Sequence, residues 1–532
     1  MIRRLAGFGL PLALLVLSLP PAGGIARAGT APRHGGILEF AVDAEPPNYD
    51  CHANISFAFI HSVAPQYSTL LKFSTADYPD VKGDLAQSWT VSPDRTTYTF
   101  KLRPHILFHD GSPLTARDVA ASYHRIIDPP PGVVSVRRAD YAAIASIETP
   151  DETTVVFRLR WPDSSMLSNF ASPWNCIYSA DKLQVDPKFP DTHVMGSGPF
   201  VFVEHVKGDH WSGRRWDRYY RPGLPYLDGF RADYVRGDAA IKGLESGRVL
   251  AGFRSVTPQQ RDALVNAMGD KAVVYSSPWN VALLLTFNSR MPPFNDQRVR
   301  EALSLAIDRW DAANALAGTS FLKFVGGIMR PGSEMSASET ELTQLPGFSH
   351  DIAASRAEAR RLLAAAGQSN LHLTITNRSD VPIPFSAGGE LLVASWAKIG
   401  VIAKVDSMPT KQWQADLEAG HFQAALDFVS EPVDDPTLTL AHYISPGLSP
   451  LNHSGATDPF LDALFVGQAV TADPRQRLQI IRQFEREALA QADNVPLLWW
   501  NRIVVLSRRV HGWHITPSSF IGQDLADVWL EP

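Results

Sequence analysis

Across 532 residues, half-buried strands and amphipathic helices follow one another with no βαβ rhythm, no repeat of fixed period and no long low-complexity linker. That pattern limits the fold more than any single motif. At roughly 150 residues per unit, the length suggests about three globular units. Three units without linkers imply domains that the chain crosses more than once. Gly35-Gly36 leads into Ile37–Val42, which reads as a first buried strand, and Pro46-Pro47-Asn48-Tyr49-Asp50 breaks it into a loop. Tyr98, Phe100 and Leu102 alternate with Thr97, Thr99, Lys101 and Arg103, and Thr153 to Arg160 repeats the alternation. Thr115 with Asp118 forms a capping box ahead of a helix. Asp296 caps a helix with Val299, Leu303, Ala306 and Ile307 on one stripe. Ala353 to Ala366 ends at Gly367, and Asp473-Pro474 opens a helix with Leu478, Ile481, Phe484 and Ala488 on one face.

The first segment is not fold. Arg3 and Arg4 precede an apolar run from Phe8 to Leu19, then Pro20-Pro21 and Ala26-Arg27-Ala28. That is the layout of a secretory signal cleaved after Ala28, leaving a chain that starts near Gly29. The run is too short to span a bilayer. The paired arginines fit a twin-arginine signal poorly, and no Cys follows to carry a lipid anchor. Loss of three arginines moves the formal charge from −6 to −9. Hydrophobic residues at 45% and charged residues at 20% give an ordinary soluble composition, and the absence of a basic block excludes nucleic acid as a partner. Cys51 and Cys176 are the only cysteines. In an oxidising compartment they either pair or stay as two buried thiols.

Catalytic chemistry is absent from the pattern. There is no H-E-x-x-H, G-x-S-x-G or G-x-x-x-x-G-K-[ST]. Gly196-Ser197-Gly198-Pro199-Phe200 begins like a dinucleotide loop, but Val201 replaces its third glycine, so it reads as a tight turn. His109-Asp110-Gly111 reads as structural rather than as an acid–base pair. The 16 histidines are scattered without zinc spacing, so no metal and no cofactor is expected. Some of the 13 Trp residues are expected to line an aromatic cleft for a small ligand.

A long run then carries a resemblance. Gly83-Asp84-Leu85-Ala86-Gln87-Ser88-Trp89, Ser92-Pro93-Asp94, Thr97-Tyr98-Thr99-Phe100, Phe108-His109-Asp110-Gly111 and Leu114-Thr115-Ala116-Arg117-Asp118-Val119 follow in order. Gly223-Leu224-Pro225-Tyr226-Leu227-Asp228, Phe294 to Leu303, Ala359 to Gly367, Trp396-Ala397-Lys398-Ile399-Gly400-Val401, Asp435-Pro436 and Val510-His511-Gly512-Trp513 continue it. The sequence resembles the bacterial extracellular solute-binding proteins of family 5, the oligopeptide, dipeptide and nickel-binding class of ABC importer components. The resemblance implies a two-lobed α/β periplasmic-binding-protein fold of three subdomains, with a two-strand hinge and ligand in the inter-lobe cleft. It implies a signal at 1–28, a lobe I core at 29–65, 191–280 and 501–532, an extra subdomain at 66–190, and lobe II at 281–500. The hinge crossings are placed near Asn280 to Asn288 and near Val495 to Val505.

By the same resemblance the chain is not an enzyme. The resemblance implies a monomer that captures a small solute, peptide or peptide-like, and delivers it to an inner-membrane permease with its ATPase, and the signal layout implies that it is free in the periplasm. A ligand-sensing module or a secreted hydrolase are the alternatives. Cleft candidates are Asn48 and Tyr49 after the first strand, Trp279 and Asn280 at one crossing, and Trp499 and Trp500 at the other, each of which can instead be core. Dipeptide-binding members resemble Trp-x-x-Asp-x-x-Asp-Pro and hold a peptide amine with the inner acid. Aligned on Asp435-Pro436, this chain has Val429 and Pro432 there. Glu431 or Asp434, in the loop from Phe428, are the substitutes. Arg378 lies near the place of a carboxylate-clamping arginine, where its planar fork can grip a carboxylate.

Overall fold

The computed structural model describes residues 31–532; the signal-like segment at 1–28 lies outside the described residues. Three bodies, each with its own sheet, follow from the alternating segments. The first holds a five-stranded sheet in the order Ala251–Gly252, Ile37–Val42, Gly229–Tyr234, His210–Arg215, Phe200–Val206. Its first three strands are parallel and the rest antiparallel. The second is a four-stranded antiparallel sheet in the order Ala86–Val91, Thr97–Leu102, Thr154–Leu159, Ile144–Asp151. Tyr98, Phe100 and Leu102 all face its core, as period-two alternation requires. The third is a six-stranded sheet in the order Leu322–Phe324, Asn494–Ser507, Ala272–Phe287, Ala424–Ser430, His372–Arg378, Ile402–Met408.

The helix signals hold at their capped ends. The Asp118 carboxylate accepts from the Thr115 backbone N–H at 2.7 Å ahead of helix Ala116–Ile127. Asp296 accepts from the Arg298 N–H at 2.9 Å at the start of Gln297–Leu305. The turn at 196–200 is structural: a Cβ on Gly196 or Gly198 would collide with the backbone of Gln66 and Tyr67. His109 is bonded to the Gly198 carbonyl at 3.0 Å, which ties that turn to the His109-Asp110-Gly111 block.

Two long strands join the bodies. Ala272–Phe287 pairs antiparallel with Asn494–Ser507, but the ladder breaks between Pro278 and Ala282. Pro278 has no N–H to donate there, and the Asn280 N–H turns aside to the Pro517 carbonyl at 3.1 Å. On one side of the break Val504 and Leu506 lie in the core of the first body. On the other, Leu283, Leu285, Val495 and Leu497 lie in the core of the third. Both strands are apolar because they are buried on both faces where they cross.

Cys51 and Cys176 form a disulfide with a Cα separation of 6.0 Å. Around it, Arg125 pairs with Asp50 at 2.8 Å, the Tyr178 hydroxyl donates to Asp50 at 3.0 Å, and Arg137 donates to the Cys51 carbonyl at 2.6 Å. Burial pushes Asp50 upward, but His52 and Arg125 outweigh it and hold the carboxyl below its ordinary range. The bridge fastens the segment after the first strand to the one that closes the second body.

Two measurements follow. The bridge spans 125 residues, so replacing both cysteines by serine is expected to lower stability by about 2–5 kcal/mol, toward the upper end for so long a loop. Denaturant titration of the two proteins reads this directly. His61, fully buried and bonded to the Ser519 carbonyl at 2.8 Å, is pushed down to about 4 by burial. Below the ordinary pKa of 6.5 the unfolded chain takes up a proton that the folded one refuses, so stability falls as pH drops from 6.5 toward 4. His61→Gln, which can keep the donor, is expected to lose about 2 kcal/mol less than the parent between pH 7 and 5.

Candidate functional site

The third sheet presents one end to the other bodies, where strand His372–Arg378 stops, strand Ala424–Ser430 gives way to a loop, and the two long strands cross. Arg378 closes the first of these strands. Its Nε donates to the Thr410 hydroxyl at 3.0 Å. Its guanidinium lies 5.0 Å, 5.1 Å and 5.6 Å from the ring centres of Phe385, Trp413 and Phe428. Among the described residues neither Nη atom has a protein partner. Burial lowers its pKa, and Asp380 and Asp427 draw it back toward the charged form.

The rings continue along this end. Trp413 and Phe428 stack at 6.1 Å, and Phe385 meets Phe428 at 6.0 Å and Trp500 at 6.4 Å. Trp500 stacks on Phe321 at 5.8 Å and meets Trp279 edge-on at 5.9 Å. The Trp500 indole N–H is shielded from water and has no acceptor. Trp279, Arg378, Phe428 and Trp500 are thus brought together. Phe321, Phe385 and Trp413 join them unforeseen. Trp413 sits on the amphipathic helix Thr410–Ala419 and Phe385 inside Pro382–Ala397, where an aromatic reads as ordinary core.

Along the regular strand successive residues face opposite ways, so Trp499 lies behind this wall, whereas Asn280 falls in the ladder break. Trp499 is 2% exposed and donates to the Gly327 carbonyl at 3.0 Å, a core position. The Asn280 carboxamide donates to the Glu431 carbonyl, and the Glu431 N–H returns a bond to the Asn280 carbonyl at 3.2 Å. These residues, with Arg330, Asp434, Asp435 and Ser168, border a cavity of about 130 Å³. Asp434 is held two-pronged by Arg330 at 2.6–2.9 Å, with the two side chains 8% and 7% exposed. Glu431 bonds His442 through one oxygen at 2.9 Å and keeps its second oxygen without a partner among the described residues.

Asn48 and Tyr49 are not brought to this group. Asn48 accepts from the Asp50 N–H at 3.0 Å and from Asn54 at 2.5 Å, a local loop role. Tyr49 bonds His205 at 2.8 Å and packs edge-on against Trp211 at 5.0 Å within the first body. Among the described residues no cluster of His, Cys, Asp or Glu could hold a metal ion, and no helix is long and apolar enough to cross a membrane.

The family model for bacterial extracellular solute-binding proteins, family 5 (middle), matches residues 80–447, and the chain belongs to that family. A probable di/tripeptide-binding protein of Pseudomonas aeruginosa is 26% identical over 549 residues, 99% of both chains. The periplasmic binding protein AgaA of A. tumefaciens R10, solved with agropinic acid, is 25% identical with a TM-score of 0.75, over 93% of this chain and 99% of its own. The periplasmic binding protein DppA of Helicobacter pylori, solved with a peptide, is 23% identical with a TM-score of 0.77, over 94% and 99%. The fold is therefore the two-lobed periplasmic-binding-protein architecture.

Trp499→Ala is expected to cost about 3–5 kcal/mol, as a truncated core aromatic does, whereas Arg378→Ala, half-exposed with a single side-chain bond, is expected to cost less than about 1 kcal/mol. Melting curves of the two variants without solute check the assignment of one to the core and the other to the site.

Proposed function

We propose that this family 5 protein is the substrate-binding component of an ABC-type importer, closing its lobes on a short peptide or peptide-like solute. One observation carries the reading. At one sheet end a cation with unused donors, Arg378, lies over an aromatic wall, while Glu431 offers a free carboxylate oxygen at the base of the adjoining loop. A zwitterion with an apolar body matches that layout: carboxylate on Arg378, ammonium on Glu431, side chains against Trp279, Phe428 and Trp500. We place lobe II at 281–500, the extra subdomain at 66–190 and the lobe I core in the remaining mature segments, with the ligand between them. Family membership and the missing catalytic motifs support binding without chemistry. The same membership supports export to the periplasm after cleavage near Ala28, action as a monomer, and delivery to a permease with its ATPase.

Isothermal titration and thermal shift with dipeptides, their C-terminal amides and their N-acetyl forms test the reading. A saturating dipeptide at a hundredfold above Kd stabilises the protein by about 2.7 kcal/mol. Blocking the carboxylate, or changing Arg378 to Ala, is expected to weaken binding at least tenfold, the loss of one charge-assisted contact. Blocking the amine, or Glu431→Gln, is expected to act alike. Equal affinity for free and doubly blocked peptides would defeat the zwitterion reading, and agropinic acid belongs in the same screen.

A further inference from the structure

The segment Glu431–Leu438 belongs to two bodies at once. Its base is pinned to the crossing strand by the bonds between Glu431 and Asn280. Its apolar residues, Val433 and Leu438, pack instead into the core of the four-stranded body. There the Asp434 N–H donates to the Tyr78 hydroxyl at 2.8 Å, and the Ser165 hydroxyl donates to the Asp435 carboxylate at 2.7 Å. Nearby, the Ser164 N–H donates to the Ala469 carbonyl at 2.7 Å, and its hydroxyl to the Thr471 carbonyl at 2.6 Å. None of these bonds involves a solute. The carboxylates of Asp434 and Asp435 also have Arg330 and Arg477 on their own side of the seam, so parting the bodies strands neither charge.

We propose that Tyr78 and Ser165 are positioning residues that latch the extra subdomain onto the 431–438 segment. They set the fraction of closed molecules before any solute arrives. The latch rests on the reading that closure captures the ligand. Its place in the chain gives it leverage: the segment it holds begins at Glu431, the group assigned to the solute's ammonium. Closure by the latch brings the extra subdomain against the segment that carries Glu431, and overall affinity scales with the closed population it maintains. The latch residues themselves need not touch solute.

The test measures the lobes directly. Val185 and Ile402 are 87% and 60% exposed; Val185 ends a helix whose Leu183 packs in the first body's core, and Ile402 opens an edge strand of the third sheet. Cysteines at these two positions can be spin-labelled in the full chain, because both native cysteines are already paired. Pulsed dipolar spectroscopy without solute then gives the closed-to-open ratio. Tyr78→Phe with Ser165→Ala, which removes two hydroxyls and no packing volume of note, is expected to lower that ratio about tenfold. Ser165→Thr, which keeps a hydroxyl, is expected to retain most of it, and the melting point is expected to stay close to the parent's. A distance distribution unchanged by the double substitution overturns the latch. Alanyl-phenylalanine is the probe for the second readout, with its dissociation expected to quicken by a similar factor in the double variant. Failure of that dipeptide to bind either protein would overturn the peptide reading, while the distances still decide the latch.

Discussion

The antiparallel pairing of Ala272–Phe287 with Asn494–Ser507 is the constraint on which the other features depend. Each strand is long enough to serve two cores, and each does: Val504 and Leu506 pack in the first body, Leu283 and Val495 in the third. A ladder of backbone bonds resists stretching but tolerates twist and bend, above all where it is interrupted. The interruption between Pro278 and Ala282 falls where the strands leave one core for the other. Bodies that are each close-packed can therefore move as units about a weak point written into the sequence by a proline. The same break frees Trp279 and Asn280 from the regular ladder. One turns to the aromatic wall, and the other takes hold of the 431 segment.

The electrostatics of the third body explain why Arg378 stands out. Buried charges are costly unless paired, and here the acids are paired: Asp434 with Arg330, Asp435 with Arg477, Asp493 with Arg300 at 3.0 Å, and Asp427 with His453 at 2.7 Å. Burial works against the His453 imidazolium, but the bond and charge of Asp427 overcome it and raise its pKa above the ordinary value. Arg378 has a hydroxyl and three ring faces but, among the described residues, no acid within ion-pair distance. Ring faces stabilise a cation and leave its N–H edge open. Arg309, more deeply buried, also lacks an acid but spends its donors on the Pro496, Ser304 and Gly347 carbonyls, whereas the Arg378 Nη groups have no such acceptors among the described residues.

Much of the fold was legible in the residues, and the reasons are local. Alternation at Tyr98-Thr99-Phe100 and the caps at Thr115, Asp296 and Asp473 act over a few residues, so their signals are short. The long run of family-like blocks supplied the order of the bodies, which no local rule could. The site was legible only in part. Arg378, Phe428 and the 279 and 500 tryptophans stood out as charge or bulk at strand ends. Trp499 and Trp500 could not be told apart without knowing which face of the strand meets the core, since a one-residue shift in phase exchanges them. Phe321, Phe385 and Trp413 reach the wall through tertiary packing of separate helices and loops. In the sequence, Asn48 and Tyr49 are singled out by their place in the loop after the first strand; in the structure they stand apart from this group, bonded to a neighbouring loop asparagine and packed on a histidine–tryptophan pair.

How such a seam can open follows from the kind of bonds that cross it. Among the described residues no ion pair joins the third body to the other two. The contacts include a phenol on a backbone N–H, serine hydroxyls on a carboxylate and on carbonyls, Gln259 on the Thr319 carbonyl at 3.1 Å, Arg95 on the Ala472 carbonyl at 3.0 Å and Arg477 on the Ser165 hydroxyl at 3.4 Å. The neutral bonds among them contribute about 1 kcal/mol each and those to the carboxylate or guanidinium about 1.5–3, and water replaces them on opening. An ion pair buried across the seam would instead leave two uncompensated charges at the moment of separation, at a cost of about 3–5 kcal/mol when one partner is lost. By keeping every strong pair within a body and only water-exchangeable bonds between bodies, the chain holds its open and closed forms within reach of one another. A solute then needs only a modest difference in affinity between the two forms to choose between them.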